Sequence, residues 1–176
     1  MSGTLSVTPR AIIVKANGAV RTYGDQNPVF DYTATGLVNG DTPTGALTAS
    51  ASQFSSIGSY AIGLGTLGNA NHAIAYTAAG LTITPRLINV IANNVSRAAT
   101  AANPLFSYTV AGGGLVNGDR LFGQLSSAAD RFSAPGSYAI EQGSLAASAN
   151  YSLSFVRGIL TVTATSPTAK RDAICS

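Results

Sequence analysis

The chain has 176 residues, enough for one ordinary domain or two small ones, and Ala, Ser, Thr and Gly supply nearly half of it. Only 10 % of the residues are charged, ten Lys/Arg against seven Asp/Glu, for a net charge of +3, where a quarter is usual. This excludes a coiled coil, a highly charged disordered segment and a basic nucleic-acid-binding tail, each of which needs dense charge. The pI near 9.2 comes from scattered cations, and the densest basic point is Lys170-Arg171.

Tryptophan is missing and Tyr and Phe number seven and six, so the apolar residues are mostly small or β-branched. Such a composition suits many short strands. In chain order, strands are expected at 12–16, 29–35, 44–49, 59–64, 73–77 and 81–84, and again at 87–92, from β-branched runs and alternation. Turns are expected at Tyr23-Gly24-Asp25-Gln26-Asn27-Pro28 and at Asn39-Gly40-Asp41, where Gly, Asn, Asp and Pro concentrate. No window carries a 3.6-residue apolar stripe, and one helical turn at most is expected, near 37–41.

The chain repeats itself. Pro9-Arg10 returns as Pro85-Arg86, Asn27-Pro28 as Asn103-Pro104, and Tyr32-Thr33 as Tyr108-Thr109. The run from Leu37 to Asp41 returns unchanged from Leu115 to Asp119, and the run from Gly58 to Ile62 returns from Gly136 to Ile140. Two identical pentapeptides in one order define a tandem repeat. The expected organisation is the end of a preceding repeat at 1–8, repeat one at 9–84, repeat two at 85–163 and a tail at 164–176. The fold class is mostly β: two small all-β modules, β-grasp-like or sandwich, arranged as a rod because no Gly/Ser linker separates them.

Between Asp41 and Arg86 no residue carries a formal charge, yet Ser, Thr, Asn and Gly interrupt the stretch too often for a membrane helix. The N-terminus shows no basic region followed by an apolar one. Either a cytoplasmic protein or a piece of a longer exported chain is expected, without insertion into a membrane.

Chemistry-bearing residues are few. His72 is the only histidine, and Tyr151 replaces it in repeat two, so the position reads as a half-buried ring with a polar tip. One His and one Cys cannot close a zinc shell, and Cys175, near the end, reads as incidental or intermolecular. Asn39, Gly40 and Asp41, with Asn117, Gly118 and Asp119, read as structural turns. Calcium at the Asp41 position would need six to eight oxygens, and no dense acidic run supplies them. Tyr32, Tyr60, Tyr108 and Tyr138 recur and read as core or half-core. Tyr23 has no counterpart, because Ala99-Thr100-Ala101 stands where repeat one has Tyr23-Gly24-Asp25, and the signature turn is expected to be lost there. An exposed ring among Asn and Asp can stack on a sugar, which makes Tyr23, Asp25 and Asn27 the candidate ligand-binding residues. No catalytic constellation, metal site or cofactor is expected, and the chain reads as non-enzymatic.

Tyr-Gly-Asp-x-Asn-Pro, Tyr-Thr, Leu-Val-Asn-Gly-Asp, Gly-Ser-Tyr-Ala-Ile and the closing Leu-Thr-Val-Thr together resemble the MBG repeat of the YGX type, over about residues 9 to 163. Repeats of this kind occur in arrays in filamentous-haemagglutinin-like bacterial exoproteins and are related to mucus-binding modules. The resemblance implies a secreted or surface-displayed adhesin segment with a β-grasp-like fold. It also implies neighbouring repeats as partners, with host or matrix glycans as the alternative partner of the 23–28 turn, and no nucleic acid.

Overall fold

The computed structural model describes residues 3–165. Lys170-Arg171, Cys175 and most of the 164–176 tail lie outside them. Contacts divide the chain into two units, the first running to Arg86 and including Ala149–Tyr151, the second holding the rest.

The first unit is built from β1 (Arg10–Ala16), β2 (Ala19–Thr22), β3 (Tyr32–Thr35), β4 (Thr48–Ala49), β5 (Gly58–Gly63), β6 (His72–Thr77) and β7 (Ala79–Thr84). A three-stranded sheet has the order β3-β1-β6 and a four-stranded sheet the order β2-β7-β5-β4. Asn17-Gly18 alone separates β1 from β2, and Ala78 alone separates β6 from β7. At both places the chain leaves the smaller sheet and enters the larger one, a bend typical of sandwich corners. Because both bends run the same way, β1 pairs parallel with β6, Ile12 opposite Ile74, and β2 pairs parallel with β7, Ala19 opposite Leu81. The first bend is pinned where the Asn17 amide donates to the Asp31 carbonyl at 3.0 Å.

Alternation decides which face is buried. Ile12, Val14 and Ala16 of β1 face inward with Ile62, Leu81 and Ile83 of the other sheet, while their neighbours face solvent. Burying each such Leu or Ile contributes about 1.5–3 kcal/mol.

The second unit repeats the plan with β8 (Arg86–Ala92), β9 (Val95–Ala98), β10 (Tyr108–Gly112), β11 (Ser126–Ser127), β12 (Gly136–Glu141), β13 (Tyr151–Val156) and β14 (Gly158–Thr163), the first residues of β8 and β13, Arg86 and Tyr151, belonging to the first unit. Its sheets have the orders β10-β8-β13 and β11-β12-β14-β9. The β14–β9 pair is parallel, Leu160 opposite Val95, and Ile88, Val90, Ile140, Leu160 and Val162 form the core.

The all-β expectation holds, and of its two alternatives the sandwich is the one adopted: a β-grasp lays a helix across its sheet, and no helix forms among the described residues. Finer expectations change. Residues 37–41 form no helical turn: Asn39 (φ 58°) and Gly40 (φ 74°) are both left-handed, and the Asp41 amide donates to the Val38 carbonyl at 2.9 Å. That is a type I′ turn, which needs positive φ at both central residues. Asn117 (φ 56°) and Gly118 (φ 79°) repeat it. Of the strand expected at 29–35 only Tyr32–Thr35 forms, because Pro28 and the exposed Val29 precede it, and of that expected at 44–49 only Thr48–Ala49 does, because the left-handed Gly45 (φ 95°) breaks the run. Strands β2 and β9 were not anticipated, since an arginine sits at the inward position of each four-residue run.

Candidate functional site

The 23–28 turn is best built from the buried cation beneath it. Arg21 on β2 points into the interior and is 6 % exposed. Its Nε donates to Asn27 Oδ1 at 2.8 Å, and its two terminal nitrogens donate to the carbonyls of Thr22 and Ser52. Asn27 Nδ2 in turn donates to the Ala51 carbonyl at 2.7 Å. The guanidinium is thus solvated by an amide oxygen and two backbone carbonyls, and its desolvation is tolerable because these donors are engaged. Arg97 repeats this with Asn103 Oδ1 at 2.7 Å and the carbonyls of Ala98 and Asp130. Asn103 Nδ2 reaches the Ala129 carbonyl at 2.6 Å.

This corrects the expectation for Asn27, whose amide is spent on Arg21 and Ala51 and offers no free edge to a ligand. The signal was present in the sequence, since Arg21 and Asn27 share the six-residue spacing of Arg97 and Asn103.

Tyr23 is corrected as well. Its ring is 4 % exposed and meets Tyr151 edge-on within the first unit, with centroids 5.5 Å apart and planes at 79°. No open face remains for a sugar. The Tyr23 amide donates to the Thr84 carbonyl at 2.9 Å, and its carbonyl accepts from Arg86 Nε at 2.9 Å. Asp25 is paired with Arg86, Nη2 to Oδ1. The three candidate residues therefore lie together: Tyr23 and Asn27 are turned into the protein's own contacts, while Asp25 pairs with Arg86 and stays half exposed.

Nor is the turn lost in repeat two. Gly24 takes φ 83° and Thr100, its counterpart, φ 68°. The Asp25 amide donates to Thr22 O at 3.2 Å, and the Ala101 amide to Ala98 O at 3.3 Å. The backbone turn persists with positive φ at its third residue, although a β-branched side chain there is strained.

His72 opens β6 and is 6 % exposed, more buried than the sequence suggested. Its Nδ1 lies 3.1 Å from Asn69 Oδ1 and 3.6 Å from Asp41 Oδ2. Its Nε2 is buried with no hydrogen-bond partner among the described residues. The ring borders a groove of about 420 Å³ formed by Val7, Pro9, Arg10, Asn39, Asn71 and His72. Asp41 thus carries both a turn and a histidine contact. No group of three or more His, Cys, Asp or Glu side chains converges among the described residues.

The recurrent tyrosines Tyr32, Tyr60, Tyr108 and Tyr138 are half-buried. Tyr60 Oη donates to Ser56 O at 2.9 Å and Tyr138 Oη to Ala134 O at 2.8 Å. The exposed apolar residues are others: Val29 at 98 % and Leu105 at 86 % are counterparts, as are Phe54 and Phe132. Sequence reasoning passed over them, although apolar residues at the same repeat position between polar neighbours were visible.

A family model for the MBG domain (YGX type) matches residues 12–82 and again 88–161. No curated protein and no solved structure matches the chain. The two matches span most of its length and coincide with the two sandwich plans described above; the chain belongs to the MBG (YGX-type) family, as two tandem copies.

Proposed function

We propose that this chain is a length of stalk from a secreted or surface-displayed bacterial adhesin, a non-enzymatic spacer that carries load between other parts of its parent protein. The observation that carries the reading is the direct succession of one repeat by the next, with Pro85 alone between β7 and β8. A single proline removes a backbone donor and fixes φ, leaving no slack of the kind a Gly/Ser linker provides. The repeat also spends its polar groups inwardly, on Arg21, Asn27 and their counterparts. What it leaves outside is a low-charge surface, on which long-range electrostatic steering of a partner is weak.

Single-molecule pulling on the chain tests this. Two discrete unfolding events are expected, each releasing about 75 residues at roughly 3.5 Å per residue. Extension without resistance, as for a disordered linker, would remove the load-bearing role. Saturable binding of mucin glycans by the folded chain would replace a spacer with a receptor module.

A further inference from the structure

Residues 3–8 carry the pattern of a strand and are left unpaired. Gly3-Thr4-Leu5-Ser6-Val7-Thr8 aligns with β14, Gly158-Ile159-Leu160-Thr161-Val162-Thr163, and its last four residues align with Leu81-Thr82-Ile83-Thr84 of β7. Pro9 follows Thr8 as Pro85 follows Thr84. The equivalents of Leu5 and Val7 are core: Leu81 and Leu160 are fully buried, and Ile83 and Val162 are 2 % exposed. Leu5 and Val7 themselves are 91 % and 84 % exposed, and residues 3–9 belong to no strand.

The agreement extends beyond apolar alternation. At Gly158 a Cβ would lie 2.8 Å from the Ala92 carbonyl oxygen, too close for a side chain, and Gly3 supplies the glycine. The hydroxyls of Thr84 and Thr163 donate to the carbonyls of Arg21 and Arg97 at 3.3 and 3.2 Å, and Thr8 supplies the same hydroxyl. Thr4 and Ser6 fall on the outward positions, where Ile159 and Thr161 are exposed. In repeat one the Thr4 position is Gly80, where a Cβ would meet Ser59 Oγ at 3.2 Å. Thr4 is crowded in that slot and fits the slot of repeat two.

We infer that residues 3–8 are a closing strand for another sandwich of the repeat-two plan, entering its four-stranded sheet as β14 enters between β9 and β12. In the register of β14, Leu5 stands opposite the counterparts of Val95 and Tyr138, and Val7 opposite those of Arg97 and Gly136. Main-chain hydrogen bonds on both sides hold such a strand, and pockets for alternate side chains select it. The partner is therefore a sandwich that has its other strands and an open slot at this place. Both repeats of this chain have the slot filled, by β7 and by β14, and offer only sheet edges. The inference goes beyond the stalk reading, since a strand completes a sheet whether or not the array bears load.

Hydrogen exchange read by mass spectrometry tests it. Residues 85–157 would replace Met1-Ser2 at the head of the chain, so that Arg157 precedes Gly3 as it precedes Gly158. In the 176-residue chain the amides of residues 3–8 are expected to exchange as an open segment does. In the lengthened chain they should slow to the rate of residues 158–163. Leu5→Asp with Val7→Asp should return them to open-segment exchange and strip protection from the added residues. The same pair of changes should leave both units of the 176-residue chain as protected as before. Residues 3–8 that stay open in the lengthened chain, or stay protected in its doubly substituted form, would overturn the inference. So would protection already present in the 176-residue chain and growing with concentration, the mark of edge pairing between copies. Two-step unfolding of the 176-residue chain in the pulling experiment is independent of every one of these outcomes.

Discussion

The two repeats agree at their buried arginine anchor and at their Asn-Gly turns, and differ at the 23–25 turn and at the His72 position. Arg21 and Arg97 keep the same Asn partner and the same pattern of carbonyls. The Asn-Gly pairs at 39–40 and 117–118 hold the same left-handed turn. By contrast Tyr23 has become Ala99, His72 has become Tyr151, and Gly24 has become Thr100, although the backbone at Thr100 still demands positive φ. At these positions identity follows the side-chain hydrogen bonds of the internal scaffold, whereas the 23–25 turn keeps its backbone and changes its side chains.

The largest way to break this comparison is to remove the shared anchor. Asn27→Ala leaves Arg21 Nε and the Ala51 carbonyl without their partner inside the protein. With about 1–3 kcal/mol lost for each buried group left unsatisfied, a destabilisation of about 3 kcal/mol is expected from urea unfolding of the first unit. Asn103→Ala should do the same to the second. A cost under 1 kcal/mol in both would show that water reaches the guanidinium and that the anchor is not structural.

Thr100→Gly sharpens the comparison from the other side. It restores to repeat two the residue type that repeat one has at Gly24 and relieves left-handed strain on a β-branched residue, typically 1–3 kcal/mol. The greater chain entropy of glycine offsets part of this, so a gain of about 1 kcal/mol is expected by thermal unfolding. A loss of stability would mean the Thr100 side chain contributes more than its backbone costs.

Tyr76 and Phe155 occupy equivalent positions, and only the tyrosine bonds, its Oη to Ile62 O at 2.7 Å. Tyr76→Phe should cost about 1 kcal/mol. Burial also raises the Tyr76 pKa above its ordinary value. The unfolded chain therefore releases this proton first, and the stability it holds at neutral pH falls as pH climbs through the unfolded value of about 10. In a pH-dependent melt, Tyr76→Phe should reduce that alkaline decline.

The smallest effect belongs to Arg157 and Glu141, paired at 2.8 Å on the surface of the second unit. Repeat one has Ala78 and Gly63 there. Glu141→Ala should change stability by about 0.5 kcal/mol or less, and a larger change would single out this pair as a specific stabiliser of repeat two.

Much of the fold was legible because alternation and turn chemistry are local. Ile12 to Ala16 and Leu81 to Thr84 announce half-buried strands, and Asn39-Gly40 announces a left-handed turn. The short strands β2 and β9 were hidden because an inward arginine breaks the apolar alternation that identifies a strand. The candidate site was legible as a location and misread as a surface. Nothing local to Tyr23 tells that Tyr151, far along the chain, packs on its ring, and nothing local to Asn27 tells that Arg21 folds beneath it. Burial of a turn residue depends on long-range contacts, and only the repeat equivalence of Arg21 with Arg97 hinted at them.

Small-angle scattering on chains of increasing repeat number tests the proposal that these repeats act as serial spacers. The 176-residue chain would be compared with chains lengthened by one and two duplicates of residues 9–84. For a stalk, the maximum dimension is expected to grow by a constant step for each repeat added. A compact particle would instead have a radius of gyration of about 16 Å at the present length and only about 18 Å with one repeat more. Growth along that shallow curve would contradict the stalk.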